Sequence, residues 1–306
     1  MRIGELGRLV ALLNAGGVPA IALKGSLTSQ RLYGEAGLRH AGDIDLLVAP
    51  DRVASADVLL REAGYMRTYP DFEVSATQWP KFLALEHELK HVNPKTGILV
   101  ELQWRLEGLP DAPFDDLWQG RSLVELPGQT VAGLPDEVGA LFLFAHGARH
   151  GWSSLFWLLD VALLLNRCDR EQTEALWEGA RRRGVTKPLL QGAALAHSLL
   201  GMALDPLLKN KLEEHKDVPA LFAEAKRRMG VLRPRRDGIR DLTQDAAYIY
   251  RLQESSSARL RLLRRWLSSP QNWREFPLPS HWFWMYYPAS PLLWAWRRLL
   301  SRRGGS

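Results

Sequence analysis

The sequence predicts an α+β protein: a sheet-bearing part, residues 1–134, followed by an all-helical part, residues 135–306, ending in an Arg/Trp-rich tail. Three observations carry this expectation. Short apolar runs of strand length, bounded by Gly, Pro, Asn and Asp, recur as far as Trp104. From Asp136 onward the apolar residues recur at helical spacing instead. No run reaches the 18 or more apolar residues of a spanning helix; the longest candidate, Leu155 to Leu165, contains Asp160.

The elements follow in order. Gly4 to Asn14 reads as an amphipathic helix, with Leu6, Leu9, Val10 and Leu13 on one stripe and Gly16-Gly17 as its stop. Val18 to Leu23 is a strand that carries Lys24 and Gly25 at its end. Ser26 to Tyr33 suits a helix closed by Gly34, and Asp43 to Ala49 a second strand. Pro50-Asp51 opens a helix to Ala63, which Gly64 ends. Tyr65 to Tyr69 is a third strand. His87 to Val92 and Ile98 to Trp104 flank Asn93–Gly97 as a hairpin. Pro110 to Pro135 is a Pro/Gly/Asp-rich connection with room for one further hairpin. Pro135-Asp136-Glu137 then starts the helical series, which continues over Leu155–Asn166, Glu171–Gly184, Lys187–Leu200, Asp205–His215 and Pro219–Met229. No repeat of fixed period is present.

With 306 residues, 46% hydrophobic and 24% charged, the chain has the composition of a soluble globular protein. One cysteine, Cys168, excludes an internal disulfide framework and fits a reducing cytoplasm. The opening residues do not read as a signal peptide, since Arg2 and Glu5 precede only a short amphipathic segment. The net charge of +6 is uneven: Ser257 to Ser306 holds nine arginines and one acid, hence +8, leaving about −2 for the rest.

Chemistry concentrates between Leu23 and Pro50. Asp43 and Asp45, two apart on one strand, share a face about 6–7 Å apart, while Ile44 and Leu46 point oppositely into a core. Such a pair on an apolar strand calls for a cation or hydrogen-bond donors. Mg2+ suits it, as a hard ion that takes one or two carboxylates together with substrate phosphates. Gly25-Ser26, between a strand and a helix, permits close backbone approach and offers free N–H groups to an anion. Alone it reads as an ordinary turn and N-cap; with the acids downstream it reads as a phosphate cradle. In ILVELQW, alternation sets Leu99, Glu101 and Gln103 against Val100 and Leu102, which makes Glu101 a candidate third carboxylate.

Gly-Ser followed by acid–apolar–acid resembles the signature of the DNA polymerase β-like nucleotidyltransferase superfamily. The LKG start and Arg39 before GDIDLLV are similar to a narrower bacterial nucleotidyltransferase family group. Sixteen residues, Leu27 to Gly42, separate Ser26 from the acids, more than in compact members of the superfamily. The resemblance implies a small mixed sheet with flanking helices and Mg2+-dependent transfer of an NMP group, with pyrophosphate released. It implies two Mg2+ ions on Asp43, Asp45 and Glu101, with Glu101 also helping to deprotonate the acceptor. Lys24, Gly25, Ser26 and Arg39 would hold the nucleotide, ATP being expected. Where relatives carry acid-Leu-His-Trp, this chain has Gln103 in place of the histidine. A non-catalytic nucleotide- or partner-binding module on the same fold is the alternative.

In the helical part, His146 and His150 share a helix face, near Trp157 and Asp160. Without a Glu in HExxH spacing or a cysteine cluster, this is not read as a zinc motif. The histidines either reach the nucleotide or acceptor, or bond within a helix interface with Asp160 as partner. In the tail, arginines interleave with Trp, Tyr and Leu. That pattern suits a membrane surface (a peripheral location) or single-stranded nucleic acid, or aromatics packed back on the helical part. Prolines 277, 279, 288 and 291 confine any amphipathic helix there to Pro291–Leu300.

Overall fold

A computed structural model describes residues 2–109, 112–230, 239–268 and 270–303. The first part comprises α1 (Arg2–Ala15), β1 (Ala20–Ala22), α2 (Ser26–Tyr33), β2 (Asp43–Val48), α3 (Val53–Glu62), β3 (Met66–Tyr69), α4 (Trp79–Leu85), β4 (Glu88–Val92) and β5 (Leu99–Gln103). A short helix α5 (Phe114–Gln119) then precedes a hairpin of β6 (Ser122–Leu126) and β7 (Gln129–Gly133). The strands form one seven-stranded mixed sheet in the order β3-β4-β5-β2-β1-β7-β6. β2 runs parallel to β5 and β1 parallel to β7, while the remaining neighbours are antiparallel. The α+β expectation holds, with a larger sheet than expected because the late hairpin adds to the free side of β1.

Alternation along the strands gives the sheet two unlike faces. Ala20, Ala22, Ile44, Leu46, Val48, Leu89, Val100 and Leu102 join one core with Leu9 and Leu13 of α1 and Val53, Ala56 and Leu60 of α3. On the opposite face Ile21, Leu23, Leu47, Ala132 and Leu134 join a second core, built with the helices that follow. The β4–β5–β2 half of that face is polar.

Those helices are α6 (Asp136–Arg149), α7 (Leu155–Arg167), α8 (Arg170–Arg183), α9 (Thr186–Leu200), α10 (Pro206–Glu214), α11 (Val218–Met229) and α12 (Ile239–Leu252). Their boundaries fall where the chain offers caps. Asp169 makes a capping box with Gln172 at the start of α8, and Gly184 ends that helix in the left-handed conformation. Phe144, Trp152, Leu189 and Ala193 pack the centre. Gly192 lets α9 approach α6 there, since a Cβ would lie 2.7 Å from Phe144 Cδ1.

The tail forms α13 (Ser256–Trp266), α14 (Pro270–Glu275), a 3-10 turn over Ser280–Met285 and α15 (Tyr286–Arg303). Two expectations are corrected here. Helix α15 starts at Tyr286 and runs through Pro288 and Pro291; Pro288 sits in the first turn, where no N–H is needed. The buried tail aromatics, Trp273, Phe283 and Tyr286, pack with the sheet core instead of the helical core. Phe82 of α4, a helix with no sequence signal, meets Trp273 edge-on at 6.3 Å. The side chains of Arg297, Arg298, Arg302 and Arg303 lie outside the described residues. No helix among the described residues is long and apolar enough to cross a membrane.

Candidate active site

The parallel register of β2 and β5 sets Asp45 directly beside Glu101. Asp43, Asp45 and Glu101 bring carboxylate oxygens within 4.8 Å of one another on the polar half-face. Asp45 is buried, 4% exposed, and its Oδ2 has no hydrogen-bond partner among the described residues. An orphaned carboxylate oxygen amid two further acids is what an oxygen-seeking cation completes. The residues present therefore fit Mg2+.

Each acid already has a protein counter-charge. Lys24 Nζ lies 3.1 Å from Asp45 Oδ1 and 3.8 Å from Asp43 Oδ2. Gln103 Nε2 donates to the same Asp45 Oδ1 at 3.0 Å and so orients this carboxylate. Lys90 donates to Glu101 at 2.7 Å and reaches Glu88 at 3.1 Å. Burial, with Asp43 and Glu101 adding to it, pushes the Asp45 pKa well above the usual carboxylate value despite Lys24. Burial would lower the Lys24 pKa, but the charges of Asp45, Asp43 and Glu101 outweigh it and raise it. For Glu101 the effect of burial is overcome mainly by the Lys90 hydrogen bond, which keeps it ionised.

While Asp45 lines a narrow adjoining space, a cleft of about 340 Å³ opens over Asp43 and Glu101. Lys24, Asp43, Glu88, Lys90, Glu101 and Gln103 line its sheet side. Phe142, His146, Arg149, His150 and Trp157 line the helical side. His146 stands edge-on to Trp157 at 5.0 Å, and the two imidazoles are 4.6 Å apart. Burial, together with Lys24 for His146 and Arg149 for His150, pushes both imidazole pKa values down, so the rings are neutral at pH 7.

Other expected residues are placed differently. Gly25, at φ 70°, is the N-cap of α2 and supplies no side-chain cap. It leads into Ser26, which lines a narrow adjoining space of about 10 Å³ with Arg2, Ala41, Asp43 and Asp45 instead of the large cleft. Arg39, expected to face phosphate, is 7% exposed and bonds through Nε to Asp160 Oδ2 at 2.7 Å. Tyr33 donates to the other oxygen of Asp160 at 2.9 Å. Asp160 thus ties the α2 segment to α7 and is not the partner of the histidines.

Several cleft residues escaped the sequence reading. Glu88 and Lys90 share a face with Glu101 once the hairpin register is known, a signal contained in ELKHV. Arg265 offered no such signal. It enters from α13, 3.2 Å from Glu86 Oε2, 3.0 Å from His87 Nδ1, and bonded to Glu107. Glu107 also meets Arg149 at 2.5 Å and His87 at 3.0 Å. Burial would raise its pKa, but these three partners hold it below the usual carboxylate range.

The family comparison puts this chain, with its three acids on adjacent strands beneath a helical wall, in the class of nucleotidyltransferases. More particularly, it belongs to the family described as uncharacterised nucleotidyltransferase, whose model matches residues 2–201. Arg265 lies beyond that matched part. Among solved structures, the chain is similar to the antibiotic-resistance factor ANT(2'')-Ia, with 13% identity, 60% of this chain and 92% of that chain covered, and a TM-score of 0.40. No curated protein matches the chain.

Proposed function

We propose that the protein transfers an NMP group from a nucleoside triphosphate, ATP in the first instance, to a hydroxyl of an acceptor. The observation that carries this reading is the convergence of Asp43, Asp45 and Glu101 on one cleft-facing strand pair. These carboxylates would hold Mg2+, two ions in full occupancy, which when bound polarises the phosphates and neutralises charge on the leaving group. Asp45, oriented by Gln103, and Asp43 offer oxygens on one side of the cleft. Glu101, kept ionised by Lys90, holds a cation and accepts the acceptor's proton. The acceptor oxygen bonds to the α-phosphorus as the bond to pyrophosphate breaks.

In this reading Gly25 and Ser26 receive the β/γ-phosphates at the α2 N-terminus, with Arg2 and Ala41 shifting to widen the space. Lys24, which lies against the aspartates, would counter phosphate charge. Arg39 holds the α2 segment in place through Asp160 instead of touching phosphate. Trp157 and the neutral His146 and His150 form an uncharged wall on which a base can stack. Residues 1–134 would carry the nucleotide chemistry and residues 135–306 the opposing wall, in a cytoplasmic enzyme.

The test is Asp45→Asn, assayed by pyrophosphate release with Mg2+ and each nucleotide over an acceptor panel. Mg2+-dependent release should disappear while circular dichroism shows the fold retained, at a melting temperature lowered by loss of the Lys24–Asp45 ion pair. The placement of Lys24 on the aspartates favours a second reading, a binding module without turnover. Calorimetric ATP–Mg2+ binding without pyrophosphate release over the same panel would support it.

A further inference from the structure

Helix α13 has no buried residue, yet it joins two anchored segments. Tyr248 and Leu252 of α12 lie in the helical core, and Trp273 of α14 lies in the sheet core. Between them Arg265 turns inward to Glu107 and Glu86. At 3.6 residues per turn, Leu260, Leu263, Trp266 and the following Leu267 fall within a stripe roughly 120° wide, on the side away from Arg265. They are 48%, 39%, 39% and 36% exposed. Arg264, exposed, borders the stripe and Arg259, bonded to Gln253 O, lies within it, whereas Arg261 shares the face of Arg265; Ser256–Trp266 contains no acid. Nearby in sequence, Trp282 and Trp284 are 46% and 62% exposed.

We propose that the outer face of α13 docks on an anionic lipid surface. A stripe of large apolar side chains in water, with Arg259 among them, marks a face that another phase or partner covers. Arg264 at its border extends its charged head towards headgroups while its stem covers apolar surface. Three of the four stripe residues are leucines, which bury in acyl chains but offer no face for base stacking, so the stripe favours lipid over nucleic acid. A second copy of α13 would set arginine against arginine. The proposal does not depend on nucleotidyl transfer and is tested without nucleotide.

The full-length chain is sedimented with sucrose-loaded vesicles of phosphatidylcholine alone or mixed with phosphatidylglycerol. Binding to the mixed vesicles should exceed binding to phosphatidylcholine about tenfold or more at low salt and weaken as salt rises. Leu260→Glu with Leu263→Glu should abolish binding while leaving the melting temperature and circular dichroism unchanged. Arg264→Gln, which keeps the stripe, should reduce the preference for phosphatidylglycerol about fivefold. Wild-type protein that stays in the supernatant would overturn the proposal, as would leucine variants that bind like wild type. So would a polynucleotide gel shift, or a dimer seen by light scattering, that the leucine variants abolish while vesicles bind nothing.

Discussion

Lys24→Met isolates the electrostatics of the site. The ammonium is 11% exposed and lies against a carboxylate that is 1% exposed. Its removal leaves Asp45, Asp43 and Glu101 within 4.8 Å of one another without that cation. Breaking one side of a buried ion pair costs about 3–5 kcal/mol. For a chain of this size that corresponds to a fall in melting temperature of roughly 6–20 °C. The loss should appear in full in EDTA. Mg2+ or Mn2+ at a hundred times its dissociation constant should then restore about 2.7 kcal/mol. The gain in the variant should exceed that in wild type at equal metal, because in wild type an incoming cation must displace the ammonium. Differential scanning fluorimetry in EDTA and across a metal titration reads both quantities. A variant that melts within a degree or two of wild type in EDTA, or gains no more from metal, would refute the account of Lys24 as the resident counter-ion.

The other perturbations can be read with the same instruments. Arg265→Gln removes the guanidinium shared by Glu107 and Glu86 and should cost about 1–3 kcal/mol in denaturant unfolding. Asp57→Asn removes a buried acceptor that meets His91 at 2.7 Å, Arg67 at 3.1 Å and Arg61 at 3.2 Å. Burial would raise the Asp57 pKa, but these partners leave it below the ordinary value. Its contribution is therefore present above the unfolded pKa near 3.9 and lost as pH falls through the folded value. The stability gap between wild type and Asp57→Asn should accordingly be widest at pH 7 and close in acid. Gly192→Ala sets a Cβ within 3 Å of Phe144 and Trp152 and should cost about 1–3 kcal/mol through overpacking, measured as a lower denaturant midpoint at unchanged slope.

The parts of the fold that were legible in the chain depend on short-range pattern. Asp43, Asp45 and Glu101 could be found because strand alternation is local and each acid interrupts an otherwise apolar run. The pairing of β2 with β5, which brings the three together, needs the register between segments more than fifty positions apart. Helix α4 stayed hidden because it has only seven residues and begins at Trp79-Pro80, too short for a periodic signal. Arg39 and Asp160 misled for a different reason. A buried guanidinium and a phosphate-binding one look alike in sequence, and only the fold shows that Asp160 neutralises this one. Arg265 lies 164 positions after Glu101, within a stretch of nine arginines, and only the crossing of α13 between the two cores singles it out.

The cleft's ion pairs also constrain the order in which ligands arrive. Lys24 counters Asp45 and Asp43, Lys90 counters Glu101 and Glu88, and Arg149 and Arg265 converge on Glu107. A bare divalent cation entering this array meets an ammonium at the carboxylates it needs. A bare triphosphate brings negative charge to a sheet face whose cations are already engaged. In the proposed reading they would exchange partners on entering together: the carboxylates would hold the metal, and Lys24 would counter the phosphates. Binding of metal and nucleotide should therefore be positively coupled, and linkage requires the coupling to be equal in both directions. Titrating ATP at fixed Mn2+, and Mn2+ at fixed ATP, gives that factor twice. In Lys24→Met the factor should shrink, because the metal no longer displaces an ammonium and no ammonium is released to meet the nucleotide.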